Sequence, residues 1–121
     1  MEKKKTIVLG ASANPEKESY LAVSRLVAQG HPVIAIGNKA GVIGNTNIET
    51  GEMPAEDVDT VTLYLNPNNQ KSYYHYIFSL HPKRIIFNPG AENEELYGLA
   101  LEKGIKAQEA CTLVLLSTGQ F

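Results

Sequence analysis

Thr6-Ile7-Val8-Leu9 is a short run of β-branched and apolar side chains that ends abruptly at Gly10. A run apolar at every position fits a parallel strand covered on both faces, because alternation appears only where one face is wet. A polar loop, Gly10 to Glu18, follows. Tyr20, Leu21, Val23, Leu26 and Val27 then repeat at helical spacing, with Ser19 or a nearby polar residue as the cap, and Gly30 closes the segment. Val33-Ile34-Ala35-Ile36 is a second apolar run. Strand, glycine turn, helix and strand within about thirty residues make one βαβ unit, whose crossover is right-handed.

The alternation continues. Gly37 to Asp59 lacks a period and reads as loop, with a short helical turn near Pro54-Asp57. Thr60 to Leu65 is a third strand, and Asn66-Pro67 opens a helix that runs to about Leu80, where His81-Pro82 ends it. Arg84 to Phe87 is a fourth strand. Asn88-Pro89-Gly90 is a turn, about Asn93 to Lys103 is helical, and Ile105-Lys106-Ala107 begins a short fifth strand. Leu113 to Leu116 reads equally as a last strand or a helix. Strands alternating with helices predict an α/β fold, Rossmann-like and doubly wound, with a mainly parallel sheet and helices on both faces. Residues 1–121 are expected to form one domain, in which the Ile7, Val33, Val61 and Ile85 strands are neighbours.

Composition narrows the function. A net charge of −2 gives no broad basic field, so neither nucleic acid nor a membrane surface is an expected partner. Lys3, Lys4 and Lys5 precede an apolar run too short for a signal peptide, and nothing approaches the ~20 apolar residues of a membrane span. Cys111 is the only cysteine, which fits a reducing, cytoplasmic setting. His31, His75 and His81 lack metal-ligand spacing. Tyr73, Tyr74 and Tyr76 read as packing residues, with an exposed part available to a homo-oligomer interface.

In doubly wound sheets, ligands bind outside the carboxyl ends of the strands. Three glycine-bearing loops are predicted there: Gly10-Ala11-Ser12, Gly37-Asn38-Lys39 and Asn88-Pro89-Gly90. In the first, small residues let the backbone approach a phosphate, and the next helix offers free N–H groups and a positive dipole end. Ser12, Asn14 and Ser19 add side-chain donors. The dinucleotide fingerprint is incomplete, with Ser12 at the second glycine and Pro15 at the third, and no P-loop lysine is present. The second loop lacks the acid that holds an NAD ribose and carries Lys39 instead, which suits a ligand with an extra phosphate near its ribose, CoA or NADP. Glu92, Glu94 and Glu95 complement a helix dipole. No nucleophile dyad, acid–base pair or metal set supports catalysis by this chain alone.

With those residues in place, the chain resembles the small CoA-binding domain proteins, which are similar to the N-terminal domain of the succinyl-CoA synthetase alpha subunit. The resemblance runs from about Lys5 to Phe121 and rests on Gly10-Ala11-Ser12 with Asn14-Pro15 and Ser19-Tyr20, on Gly30-His31-Pro32-Val33-Ile34 and on Asp59-Thr60-Val61. It continues in Phe87-Asn88-Pro89-Gly90-Ala91 and Glu109-Ala110-Cys111-Thr112. It implies a domain that holds CoA or an acyl-CoA by adenosine and pyrophosphate. Gly10, Ala11, Ser12 and Asn14 would meet phosphates, Lys39 would match the lysine after strand two, and Asn88 to Ala91 would lie by the pantetheine. Relatives carry a Pro-Val-Asn-Pro-Lys type of run after strand two; here Ala35-Ile36-Gly37-Asn38-Lys39 keeps only the lysine. The alternatives are an NADP-binding oxidoreductase or ligase subunit needing a partner chain, and a ligand-free interaction domain.

Overall fold

The computed structural model describes residues 2–121. In chain order its elements are β1 (Thr6–Leu9), α1 (Glu18–Ala28), β2 (Val33–Ile36), β3 (Gly41–Ile43), β4 (Thr46–Glu49), β5 (Thr60–Leu63), α2 (Pro67–Gln70), α3 (Tyr74–Ser79), β6 (Arg84–Phe87), α4 (Glu94–Glu102), β7 (Lys106–Glu109) and α5 (Thr112–Ser117). The strands form one sheet in the order β3-β4-β2-β1-β5-β6-β7. All neighbours are parallel except β3 and β4. β1 lies between β2 and β5 and is buried at every position because helices cover both faces of the sheet, as its mostly apolar run predicts. The Ile7, Val33, Val61 and Ile85 strands are neighbours.

Helices cover both faces. Ile7, Leu9, Val61, Ile85 and Phe87 meet Ile77 of α3 and Leu96 and Ala100 of α4. On the opposite face Val8, Ala35 and Ile86 meet Val23 and Leu26 of α1 and Leu115 and Leu116 of α5. The fold is therefore α/β and Rossmann-like, as predicted. The chain leaves β1 for β2 on one side and returns to β5 on the other, which puts the switch point between β1 and β5.

Several local expectations are corrected. The segment from Gly37 contains the β3–β4 hairpin, turned at Gly44-Asn45 with Gly44 at φ +60. Each of these strands buries one large apolar residue, Ile43 or Ile48, too few to show a period. No helical turn forms at Pro54-Asp57: Asp57 adopts φ +57, and the Met53 carbonyl accepts the Tyr76 hydroxyl at 2.7 Å. The helix expected up to Leu80 is α2 and α3 joined by a 3₁₀ turn, Lys71–Tyr73, in a stretch rich in the weak helix formers Asn68, Asn69 and Ser72. Asn66 caps α2 by accepting the Asn69 N–H at 2.9 Å. Ser19 does not cap α1; Lys17 stands there without a side-chain bond. Leu113 to Leu116 is helical, with Val114 exposed and Leu115 and Leu116 turned to the core.

Candidate functional site

β1 ends at Leu9 and the chain turns through Gly10, at φ +96. The N–H groups of Gly10 and Ala11 both donate to the Ile36 carbonyl, at 2.8 and 2.9 Å. Two amides that the sequence assigned to a ligand are thus engaged inside the fold. A Cβ on Gly10 would stand 3.0 Å from the Tyr64 carbonyl carbon and 3.1 Å from the Leu65 nitrogen. Glycine is required there by the exit of β5.

The open donors lie further along. Among the described residues, the amides of Ser12, Ala13, Glu18 and Ser19 meet no acceptor. The last two open α1, where the missing side-chain cap leaves them free. They are donors at the positive end of an 11-residue helix, a place that favours an anion. Ser12 Oγ accepts the Asn14 N–H at 3.1 Å, and Asn14 Oδ1 accepts the Glu16 N–H at 3.0 Å. Asn14 therefore shapes the loop. Ser19 is buried, and Tyr20, half-buried, packs on the α1–α5 face.

The loop after β2 locks onto the first. Gly37 donates to the Glu49 carbonyl at 2.9 Å, and a Cβ on it would collide with the Ala11 carbonyl oxygen. A Cβ on Gly41 would come 2.9 Å from the Ala13 Cβ. Asn38 and Lys39 stay exposed at the rim. Three hollows meet there. One of about 350 Å³ is lined by Ser12, Glu18, Ser19, Asn38 and Tyr64. One of about 220 Å³ is lined by Ser12, Ala13, Asn14, Asn38 and Lys39. One of about 290 Å³ is lined by Gly10, Gly37, Asn38, Asn69, Ser72 and Tyr73. Asn38 borders all three, so they form one crevice across the carboxyl ends of β1, β2 and β5.

Sequence reasoning missed the far wall. Asn68, Asn69, Ser72 and Tyr73 face the crevice from the segment after β5. The signal was present: Asn66-Pro67-Asn68-Asn69 is a run of amides directly after a strand. Tyr64 was missed as well. Burial pushes its phenol well up, so it stays protonated. Its hydroxyl lies beside Thr112, whose Oγ1 already shares a 2.7 Å hydrogen bond with Thr62.

The third predicted loop is built differently. Asn88 is 0% exposed. Its amide donates to Thr62 Oγ1 at 2.7 Å and the Leu63 carbonyl at 2.8 Å, and its carbonyl accepts the Thr112 N–H at 2.8 Å. It ties β5 and β6 to the start of α5. Ala91 is buried, its N–H on the Asn88 carbonyl and its own carbonyl on the buried Gln70 amide. Pro89 and Gly90 are exposed, and Glu92 accepts the Gly90 N–H. None of these residues lines the three hollows. Cys111 is half-buried at the N-cap of α5. Among the described residues no three His, Cys, Asp or Glu side chains group to hold a metal, and no helix is long and apolar enough to cross a membrane.

The sequence profile of a family described as the CoA binding domain matches residues 4–117. The chain belongs to the CoA-binding domain family. A solved structure of an uncharacterised protein is 50% identical over 100% of both chains, with a TM-score of 0.96. A hypothetical protein from Pyrococcus horikoshii OT3 is 20% identical, with a TM-score of 0.85 over 97% of this chain and 84% of that one. A protein from Thermus thermophilus is also 20% identical, with a TM-score of 0.84 over 98% and 91% of the two chains. These last two share the fold. No curated protein matches. Membership in the CoA-binding domain family supports a CoA-binding module in general, with a small-molecule ligand.

Proposed function

We propose that this protein binds CoA or an acyl-CoA as a non-catalytic module of the cytoplasm. The observation that carries the reading is the crevice: four amides without acceptors, the start of α1 and Lys39 surround one cleft at the switch point. In this reading the open amides of Ser12, Ala13, Glu18 and Ser19 receive the pyrophosphate. Lys39 neutralises the 3′-phosphate from the rim, and the Asn69, Ser72 and Tyr73 wall faces the adenosine. The ligand's charge is balanced locally, as a chain of net charge −2 requires. Gly10 and Ala11 support the site by holding the loop on Ile36. Asn88 and Ala91 do so by anchoring the neighbouring strand ends.

Calorimetry and thermal shift with CoA, acetyl-CoA, NADP, NAD and ATP test this. CoA at about 100 times its dissociation constant stabilises by about 2.7 kcal/mol, and NAD does not. Tighter binding of NADP than of CoA would replace the reading with a dinucleotide site. Absence of any response would leave an interaction domain. The purified chain should show no turnover with acyl-CoA, with succinate plus nucleotide, or with NADP plus alcohols, because among the described residues neither the Ser12 nor the Ser19 hydroxyl at the crevice is hydrogen-bonded to a basic side chain.

A further inference from the structure

At the opposite end of the sheet from the crevice, a buried histidine is surrounded by positive charge. His31 follows α1 and is 3% exposed. Its Nδ1 accepts the backbone N–H of Lys4 at 2.9 Å, which places its proton on Nε2, and Nε2 is buried without a partner among the described residues. The imidazole meets the Phe121 ring in a T-shaped contact, with centroids 5.1 Å apart. The Arg84 guanidinium also stands over that ring, 4.5 Å from its centroid, with its Nε on Thr60 Oγ1 at 3.0 Å and its Nη2 without a partner among the described residues. Lys4 Nζ is 5.7 Å from the same ring and donates to the Phe121 carbonyl at 2.6 Å. Phe121 itself is 4% exposed, and both it and Gln120 donate backbone N–H groups to the Leu115 carbonyl at the end of α5.

We propose that uncharged His31 is an acid-sensitive latch that seats Phe121, and with it the segment after α5, under the amino ends of the strands. The charged groups facing His31 are Lys3 and Lys4 from the N-terminal segment, Arg84 from β6 and Asp59 ahead of β5. Asp59 alone favours an imidazolium, and its carboxylate already accepts the Thr60 hydroxyl at 2.7 Å. Protonation of Nδ1 removes the acceptor of the Lys4 N–H and adds a cation beside three others. Burial, then the two lysines, hold the His31 pKa below the ordinary histidine value. The sign follows. Above the ordinary histidine range both folded and unfolded chains carry a neutral ring and the latch is complete. As pH falls through that range the unfolded chain takes the proton first, and the seat loses stability until the folded ring is also charged. The imidazole then turns out to water, one wall of the Phe121 seat opens, and residues 118–121 loosen.

The test is a site-resolved NMR titration of the whole protein from about pH 7.5 to about pH 4.5. It follows the His31 ring proton together with the amide order and hydrogen exchange of Gln120 and Phe121. The expected result is that these two amides exchange at least about tenfold faster below the His31 midpoint, after correction for intrinsic pH dependence, with the change tracking that midpoint. His31→Asn, whose side-chain oxygen accepts the Lys4 N–H and never charges, should keep the segment ordered throughout. If Gln120 and Phe121 stay ordered while His31 titrates, or loosen at a different midpoint, the latch is overturned. The wild-type coincidence decides the matter even where the variant fails to fold.

Discussion

The loops at residues 10–19 and 88–91 look alike in sequence, since each follows an apolar strand and mixes glycine, proline and asparagine. The structure separates them by where their hydrogen-bonding groups go. In the first, four amides of residues that line a crevice have no acceptor among the described residues. In the second, the Asn88 side chain makes three hydrogen bonds inside the protein, and the Ala91 N–H, the Ala91 carbonyl and the Gly90 N–H all have partners. A loop at the right end of a parallel sheet is a binding loop only if its donors are left over once the fold is satisfied.

The largest effect expected from this contrast is on stability. Asn88→Leu strands the Thr112 N–H in the interior and removes two further bonds, so urea unfolding should show a loss of about 3–5 kcal/mol. The fraction that folds should bind CoA nearly as the parent does. Retained stability with lost affinity would reverse the roles of the two loops. Gly37→Ala comes next, because its methyl collides with the Ala11 carbonyl oxygen. A loss of about 2–4 kcal/mol is expected, and calorimetry should find CoA affinity down by about tenfold or more as the first loop shifts. Unchanged affinity would detach the second loop from the site.

Lys39→Ala should leave stability alone and weaken CoA by about tenfold, close to 1.4 kcal/mol of binding energy, while dephospho-CoA keeps its affinity. Equal affinity of the parent for CoA and dephospho-CoA would reduce Lys39 to a surface charge. The smallest effect belongs to Gly90→Ala. Space is open around Gly90, but its φ of +91 disfavours a side chain, so the cost should be about 1 kcal/mol with CoA affinity unchanged. A large loss of affinity there would draw the second loop back into the site.

β1, β2, β5 and β6 were legible because each is a mostly apolar run inside the sheet. The hairpin was not, since Gly41–Ile43 and Thr46–Glu49 lie at an edge and bury one large side chain each. Its Gly44-Asn45 turn was the available signal. β7 reads as polar for the same reason: Lys106 and Glu109 are exposed on the other edge. In the site, the loops and Lys39 could be read from residue type and strand position. Which amides stay free could not, because that depends on the Ile36 carbonyl accepting from both Gly10 and Ala11. That bond crosses from one strand to the next, and no local pattern announces it. Gly10 lies in the loop expected to approach a phosphate and Gly37 in the second glycine-bearing loop; at both, another backbone passes where a Cβ would stand.

That shared Ile36 carbonyl has a kinetic consequence. With Gly37 packed against Ala11 and Gly41 against Ala13, the loops after β1 and β2 form one joined rim. A ligand entering such a rim waits for no gate. Association is then governed by encounter and orientation, and stopped-flow traces should be single-phase, with a rate linear in ligand concentration. Ligands that differ only in an uncharged acyl group should arrive at similar rates and leave at different ones, so that residence time ranks them, whereas loss of the 3′-phosphate should also slow arrival.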